Sequence, residues 1–304
     1  MYEHIMQAVI ETPWAILPGK LAIIQSLLTL RAAGHRLTAE EIRAQIQGAR
    51  PQSGPIQAGN GIAVIPIVGT IIPRGDMLME SSGAVSTQRI AAAFRSAMSN
   101  PDVGSIILDM DSPGGQVGGV DELATEIFQA RGQKRIVAVA NHLAASAAYW
   151  LATAADEVVV SPSGEVGSIG VFAMHQDISQ ALESEGVKVN LIAAGKYKTE
   201  GNPFEPLNEE SRAAIQGRVD DYYQMFAGAV ARNRGVKRAE VVGGFGEGRV
   251  VGAKQAVVLG MADRVATLDE TIERLRGKSR GRGLSAESRE RRLMAFSHGW
   301  GEHG

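Results

Sequence analysis

From about residue 60 to residue 160 the apolar residues of the chain alternate between two spacings. IAVIPIV (62–68), SIILDMD (105–111), RIVAVA (135–140) and EVVV (157–160) are short runs rich in β-branched side chains. They lack the regular polar interruption of a half-exposed strand, which is the pattern of strands covered on both faces. Between them, STQRIAAAFRSAM (86–98), VDELATEIFQAR (120–131) and the Ala-rich AASAAYWLA (144–152) predict helices. Strands and helices in this succession predict an α/β fold with parallel strands, because parallel neighbours must be joined by a crossover. Two further apolar runs follow, SIGVFAM (168–174) and VKVNLIA (187–193). After them comes a long helix from about Asn208 to Arg232, with Asn208 as its cap and Glu209 and Glu210 in its first turn, where carboxylates suit the helix dipole.

Ahead of this region, KLAIIQSLLTLRAAG (20–34) and TAEEIRAQI (38–46) have helical spacing, with Thr38 and Glu41 forming a capping box. ARPQSGPIQAGNG (49–61) is a poor core former and marks the boundary with IAVIPIV. From Arg274 onward, RLRGKSRGRGLSAESRERR sets eight Lys or Arg against two Glu, the composition of a solvated, partly disordered tail. The expected organisation is therefore an N-terminal helical arm and linker over 1–59, a main α/β domain over 60–273, and a basic tail over 274–304.

Composition narrows the function classes. With 304 residues, 44% of them hydrophobic, the chain can bury one large core, and with no cysteine it has neither disulfides nor thiolate metal sites. A net charge of -2 gives no global field for nucleic acid, so no specific nucleic-acid partner is expected. The first fourteen residues lack a basic stretch followed by a continuous apolar one, and the most lipid-like run, from Leu143 to Ala155, is too short to span a bilayer. No membrane anchor, no cofactor and a cytoplasmic location are expected.

The chemistry centres on Ser146. A serine where a strand turns into a helix presents its hydroxyl at the positive helix end, and its alanine neighbours leave room for a carbonyl. Some thirty residues upstream, in DSPGG, Pro113 fixes a turn and Gly114 and Gly115 can take conformations closed to other residues. Their backbone N–H groups, with that of Ala147, could stabilise an oxyanion. A base is also required: His142, His175, Lys196 and Lys198 are the candidates. Histidine is the chemically easier choice, whereas a lysine needs burial that lowers its pKa by about 2–3 from about 10.4. The apolar VNLIAA before GKYK offers such burial, but residue spacing does not separate Lys196 from Lys198.

SPGG, AASAAYWLA, GEVGSIGV, GKYKTEGNPFEPLNEESR and GRVVGAKQAVVLGMAD, in this order and at these intervals, resemble the signal peptide peptidase A family of serine peptidases. The resemblance spans roughly residues 61–265. It implies a fold like that of Clp protease and crotonase, built from repeated ββα units and assembled into ring-like homo-oligomers, with a Ser-Lys dyad. Residue by residue, it implies Ser146 as nucleophile, Lys198 as general base, Ser168 as the hydroxyl that orients the lysine, and Gly114 and Gly115 as oxyanion donors. A single copy of the motifs and no membrane anchor resemble the short soluble members. TPWAILPGKLAIIQSLLTLRAAG (12–34) is similar to the phage and prophage members that mature capsids. A peptide or protein substrate is thus implied, capsid or scaffold protein in the host cytoplasm or prohead. A cellular peptide-degrading peptidase, a Ser-His site using His175 and Asp177, and a catalytically silent oligomeric scaffold are the competing readings.

Overall fold

The computed structural model describes residues 13–32, 56–57, 61–75 and 83–277. Its strands are β1 (Trp14–Ile16), β2 (Ile56–Gln57), β3 (Ile62–Val68), β4 (Thr70–Ile72), β5 (Ala84–Ser86), β6 (Ser105–Ser112), β7 (Gly114–Gln116), β8 (Arg135–Ala145), β9 (Glu157–Val160), β10 (Glu165–Gly167), β11 (Val250–Gly252) and β12 (Arg264–Val265). The helices are α1 (Pro18–Ala32), α2 (Thr87–Ser99), α3 (Val120–Gln129), α4 (Ala147–Thr153), α5 (Ser179–Ser184), α6 (Glu209–Arg234), α7 (Arg238–Gly244) and α8 (Ala253–Val258), followed by α9 over 268–277.

The larger sheet runs β11-β10-β8-β6-β3-β2, with β9 and then β12 branching from β8. Pairings among β3, β6, β8, β9 and β10 are all parallel, so α2, α3 and α4 lie on the crossovers between them. The chain is therefore a mixed α/β protein with a parallel sheet. One face of that sheet, including Ile65, Ile67, Leu108, Met110 and Ala138, packs in the main core with α2, α3, α4 and the C-terminal half of α6. The other face, through Ile62, Val64, Ile107, Val137 and Val159, packs with Ala266 and Leu275. Each such aliphatic contributes about 1.5–3 kcal/mol. Coverage on both sides explains why these strands carry no polar alternation. Pro66 fits within β3 because, among the described residues, pairing with β2 stops at Val64 and no strand accepts from its position on that side.

A smaller sheet, β1-β7-β4-β5, lies beside the larger one. Its strand β1 comes from the segment expected to form a separate arm, and it pairs with β7. The capping box at Thr38 and the tail from residue 278 fall outside the described residues, as does the linker over 49–61 apart from β2 and Gly61. Residues 274–277, assigned to the tail from sequence, belong to α9.

Glu157 fastens α9 to the sheet. Its carboxylate is bound by Arg135 at 2.6 Å and Arg274 at 2.8 Å, with Arg264 at 3.3 Å. Burial pushes its pKa up, but hydrogen bonds from the two nearer arginines outweigh this and hold it below the usual range. A depressed folded-state value means that the stabilisation is complete above the ordinary Glu range and is lost as pH falls through the folded value. Amide exchange in α9 should rise selectively in acid, and Glu157→Gln should reproduce that rise at neutral pH. Equal protection of α9 in the variant would rule this clamp out.

Candidate active site

Ser146 sits at the junction of β8 and α4 with φ 56 and ψ -121, a conformation strained for any residue with a side chain. Its N–H donates to the Gly167 carbonyl at 2.7 Å, and its carbonyl accepts from the Trp150 N–H at 3.0 Å. Between Met110↔Ala140 and Ser112↔Ala144 the register of β8 against β6 shifts, so β8 bulges just before the serine. Every residue of α4 is buried. Trp150 stacks on Phe226 of α6 with ring centroids 4.7 Å apart. The Arg131 guanidinium donates to the carbonyls of Thr153, Ala154 and Ala155 and to that of Asn233, at 2.6–3.3 Å, which ties the C-terminal ends of α4 and α6 together.

This rigid setting lets the chain hold an unfavourable backbone at Ser146. Ser146→Gly should therefore stabilise the protein by about 1 kcal/mol while removing the hydroxyl. Calorimetry should show a higher Tm than that of Ser146→Ala. An equal or lower Tm would show that the junction stores no strain.

The glycine turn meets the serine directly. Gly114 has φ +97, and a Cβ there would stand 2.2 Å from the Ala15 carbonyl oxygen and 2.9 Å from Ser146 Cβ. At Gly115 a Cβ would lie 1.8 Å from the Ile71 carbonyl oxygen. Fully buried Ser112 ties the turn, accepting from the Gly114 N–H at 3.2 Å while donating to the Gly69 carbonyl at 2.6 Å. Sequence reasoning passed over Ser112 and Arg131. Ser112 could have been found as the hydroxyl preceding Pro-Gly-Gly, whereas nothing local in the sequence marks Arg131.

Ser168 reaches the same place by parallel pairing. Ala145 of β8 is in register with Gly167 of β10, so Ser146 and Ser168 emerge from adjacent strand ends. Ser168 also has a positive φ, 54, and its N–H donates to the Arg249 carbonyl at 2.8 Å. The Ser146 hydroxyl makes one long contact, 3.4 Å to the Gly170 carbonyl. Ser168 is 6% exposed, and among the described residues its hydroxyl makes no hydrogen bond and keeps access to solvent. Ala147 is the first residue of α4, so its N–H has no acceptor within the helix.

Among the described residues none of the basic candidates hydrogen-bonds to Ser146 or Ser168. VNLIAA forms no strand, and the Lys198 side chain is exposed, which corrects the expectation that this segment buries it within one chain. Among the described residues the apolar run pairs with no strand, and Val187, Leu191 and Ile192 are 48%, 46% and 99% exposed. Lys198 makes no side-chain hydrogen bond or ion pair among the described residues. Lys196 is held by Glu210 at 2.9 Å and by the Tyr197 hydroxyl at 2.7 Å, and these hydrogen bonds raise its pKa. His175 Nε2 is 3.0 Å from the Asn202 carbonyl, and Asp177 accepts from the Ser179 N–H and hydroxyl. His142 is exposed, 3.7 Å from Asp111. Among the described residues no cluster of metal-binding side chains occurs, and no helix is long and apolar enough to cross a membrane.

Comparison with known proteins places this geometry in context. The profile of peptidase family S49 matches residues 129–280. Capsid assembly protease C of Escherichia phage lambda is 37% identical over 265 residues, 86% of this chain and 60% of that protein. Head-tail preconnector protein GP5 of Enterobacteria phage P21 is 31% identical over 282 residues, 88% of this chain and 56% of that protein. Protease 4 of Salmonella typhi is 29% identical over 72% of this chain and 34% of its own length. The chain thus spans 60% and 56% of the two phage proteins.

Proposed function

Since the chain belongs to peptidase family S49, we propose that it is a serine endopeptidase of phage capsid maturation, with Ser146 as nucleophile and Lys198 as general base. The observation that carries this reading is the meeting of a strained, buried serine with the glycine turn at Gly114. In the first step Ser146 Oγ adds to the substrate carbonyl carbon while the neutral Lys198 amine takes the hydroxyl proton. The oxyanion accepts from the Ala147 N–H and the glycine turn. Collapse breaks the C–N bond, and the leaving amine takes the proton from Lys198. Water, activated by the same amine, then adds to the ester carbonyl and releases Ser146.

Two observations favour Lys198 over its neighbours. Lys196 is bound to Glu210 and kept charged, and His175 is engaged with the Asn202 carbonyl. The Ser168 hydroxyl, which follows a strand end in register with that of Ser146 and makes no hydrogen bond among the described residues, suits a residue that orients an incoming amine. Because Lys198 sits in an exposed, apolar, unpaired segment, the reading requires that segment to dock, and a neighbouring copy is the occupant that a ring-like homo-oligomer supplies. The successions β3-β4-β5-α2 and β6-β7-α3 support a fold of Clp protease and crotonase type, with a small-sheet excursion in each unit. The phage relatives support capsid or scaffold protein as substrate and the host cytoplasm or prohead as the place of action.

A fluorophosphonate probe followed by peptide mapping tests the nucleophile: Ser146 should carry the label and Ser146→Ala none. A folded, assembled protein that takes no label would instead be the silent scaffold. Light scattering should give a closed oligomer, and a monomer at micromolar concentration would remove the proposed route for Lys198.

A further inference from the structure

Strand β1 is threaded between the two backbone segments that border Ser146. On one side it pairs antiparallel with β7, in the register Trp14↔Gln116, Ala15↔Gly115 and Ile16↔Gly114. On the other, Trp14 exchanges both backbone hydrogen bonds with Phe172, at 2.8 and 3.0 Å. Phe172 lies two residues beyond Gly170, whose carbonyl faces the Ser146 hydroxyl. All three β1 residues are at most 2% exposed, and Trp14 and Ile16 pack with Leu21, Ile24 and Phe172.

The ladder also engages the glycine amides. The Leu17 N–H donates to the Pro113 carbonyl at 3.0 Å. Hydrogen-bonded pairs alternate along an antiparallel ladder, so the next such pair is Ala15 with Gly115. The Trp14–Phe172 exchange agrees, because it turns the N–H and C=O of Ala15 towards β7. The Gly114 N–H is already held by the Ser112 hydroxyl. Both amides of the glycine turn are therefore engaged within the chain, one of them by β1.

We propose that β1 is an intramolecular occupant of the peptide cleft: it holds the place of an extended substrate strand, and its departure opens the site. This rests on Ser146 being the nucleophile of a peptidase. A strand added to β7 gains affinity from main-chain hydrogen bonds and specificity from alternate side chains. β1 thereby shows the pattern the cleft accepts. A large aromatic residue lies opposite Gln116, a small residue opposite Gly115 and a β-branched aliphatic opposite Gly114. The substrate class is an extended apolar segment of this kind, and release of β1 frees the Gly115 amide at the same moment.

The test uses the full chain carrying Ser146→Ala and a fluorescently labelled peptide with the sequence of residues 12–18, read by anisotropy. Ala15→Pro, which removes a ladder donor, should bind this peptide at least about tenfold more tightly than the protein with unaltered β1. Trp14→Ser keeps every backbone donor and should move affinity in the same direction, so it carries the test if the proline variant fails to fold. Equal affinity across the proteins, or no binding by any, overturns the proposal. With Ser146 restored, a variant that binds the peptide yet takes no fluorophosphonate label would overturn the peptidase reading and leave the strand inference standing.

Discussion

Lys198→Ala and Ser146→Ala should each lower peptide turnover by about 10⁴-fold or more, while His175→Ala stays within about tenfold of the unaltered protein. Loss of the base leaves the serine hydroxyl intact but with no group to take its proton, so binding should survive where kcat does not. Ser168→Ala should fall between these limits, because it misorients the amine without removing it. Within one chain Lys198 makes no hydrogen bond to Ser146 or Ser168 and stands exposed. Mixing the two inactive variants under subunit exchange is therefore expected to restore about a quarter of the sites, those that pair an intact lysine of one copy with an intact serine of its neighbour. If the mixture stays inactive while native mass spectrometry shows mixed oligomers, the dyad must close within one chain. If Lys198→Ala keeps near-normal turnover and His175→Ala loses it, the base is the histidine.

Gly114→Ala should damage both stability and chemistry. The new Cβ would stand 2.2 Å from the Ala15 carbonyl oxygen and 2.9 Å from both the Ala145 carbonyl oxygen and Ser146 Cβ, at a residue with φ +97. None of these neighbours is a flexible side-chain end, so backbone must move. A cost of about 3 kcal/mol is expected from overpacking and strain together. Displacing Ser146 from the turn should lower kcat by about 10²–10³-fold even in the folded fraction. Gly132→Ala is the control: it has φ +82 but nothing within 4 Å of the added Cβ, so it should cost about 1 kcal/mol and leave turnover alone. Similar losses in both variants would mean that Gly114 is needed only for its backbone angle.

Much of this arrangement was legible in the chain. The alternation of IAVIPIV, SIILDMD, RIVAVA and EVVV with helical segments revealed the parallel sheet, because coverage of both faces writes itself into every strand residue. Gly114 was recognisable for a similar reason, since a backbone that must approach another so closely admits no side chain. Three features were not. VNLIAA has the composition of a strand, but pairing needs a neighbour, and the described residues provide none at that point. The incorporation of Trp14–Ile16 into the small sheet depends on β7, a hundred residues away, and no local pattern announces such a partner. The grip of Arg131 on four carbonyls likewise arises only when two helix ends converge.

That grip has a mechanical consequence. Helix α6 has 26 residues, a rod about 39 Å long. Its C-terminal part is embedded through Phe226, Ala227, Val230 and Ala231, while most of the stretch from Arg212 to Asp221 is open to solvent. The rod is thus embedded most deeply at its C-terminal end, where Phe226 and Arg131 couple it to α4 and so to Ser146, while its first turn is held by the buried Ser211 and the Lys196–Glu210 ion pair. A lever anchored in this way attenuates motion from its long arm to its short one. Random buffeting of the solvent-exposed middle stretch reaches the serine as a small fraction of its amplitude, whereas a steady load on that stretch is delivered to α4 as torque.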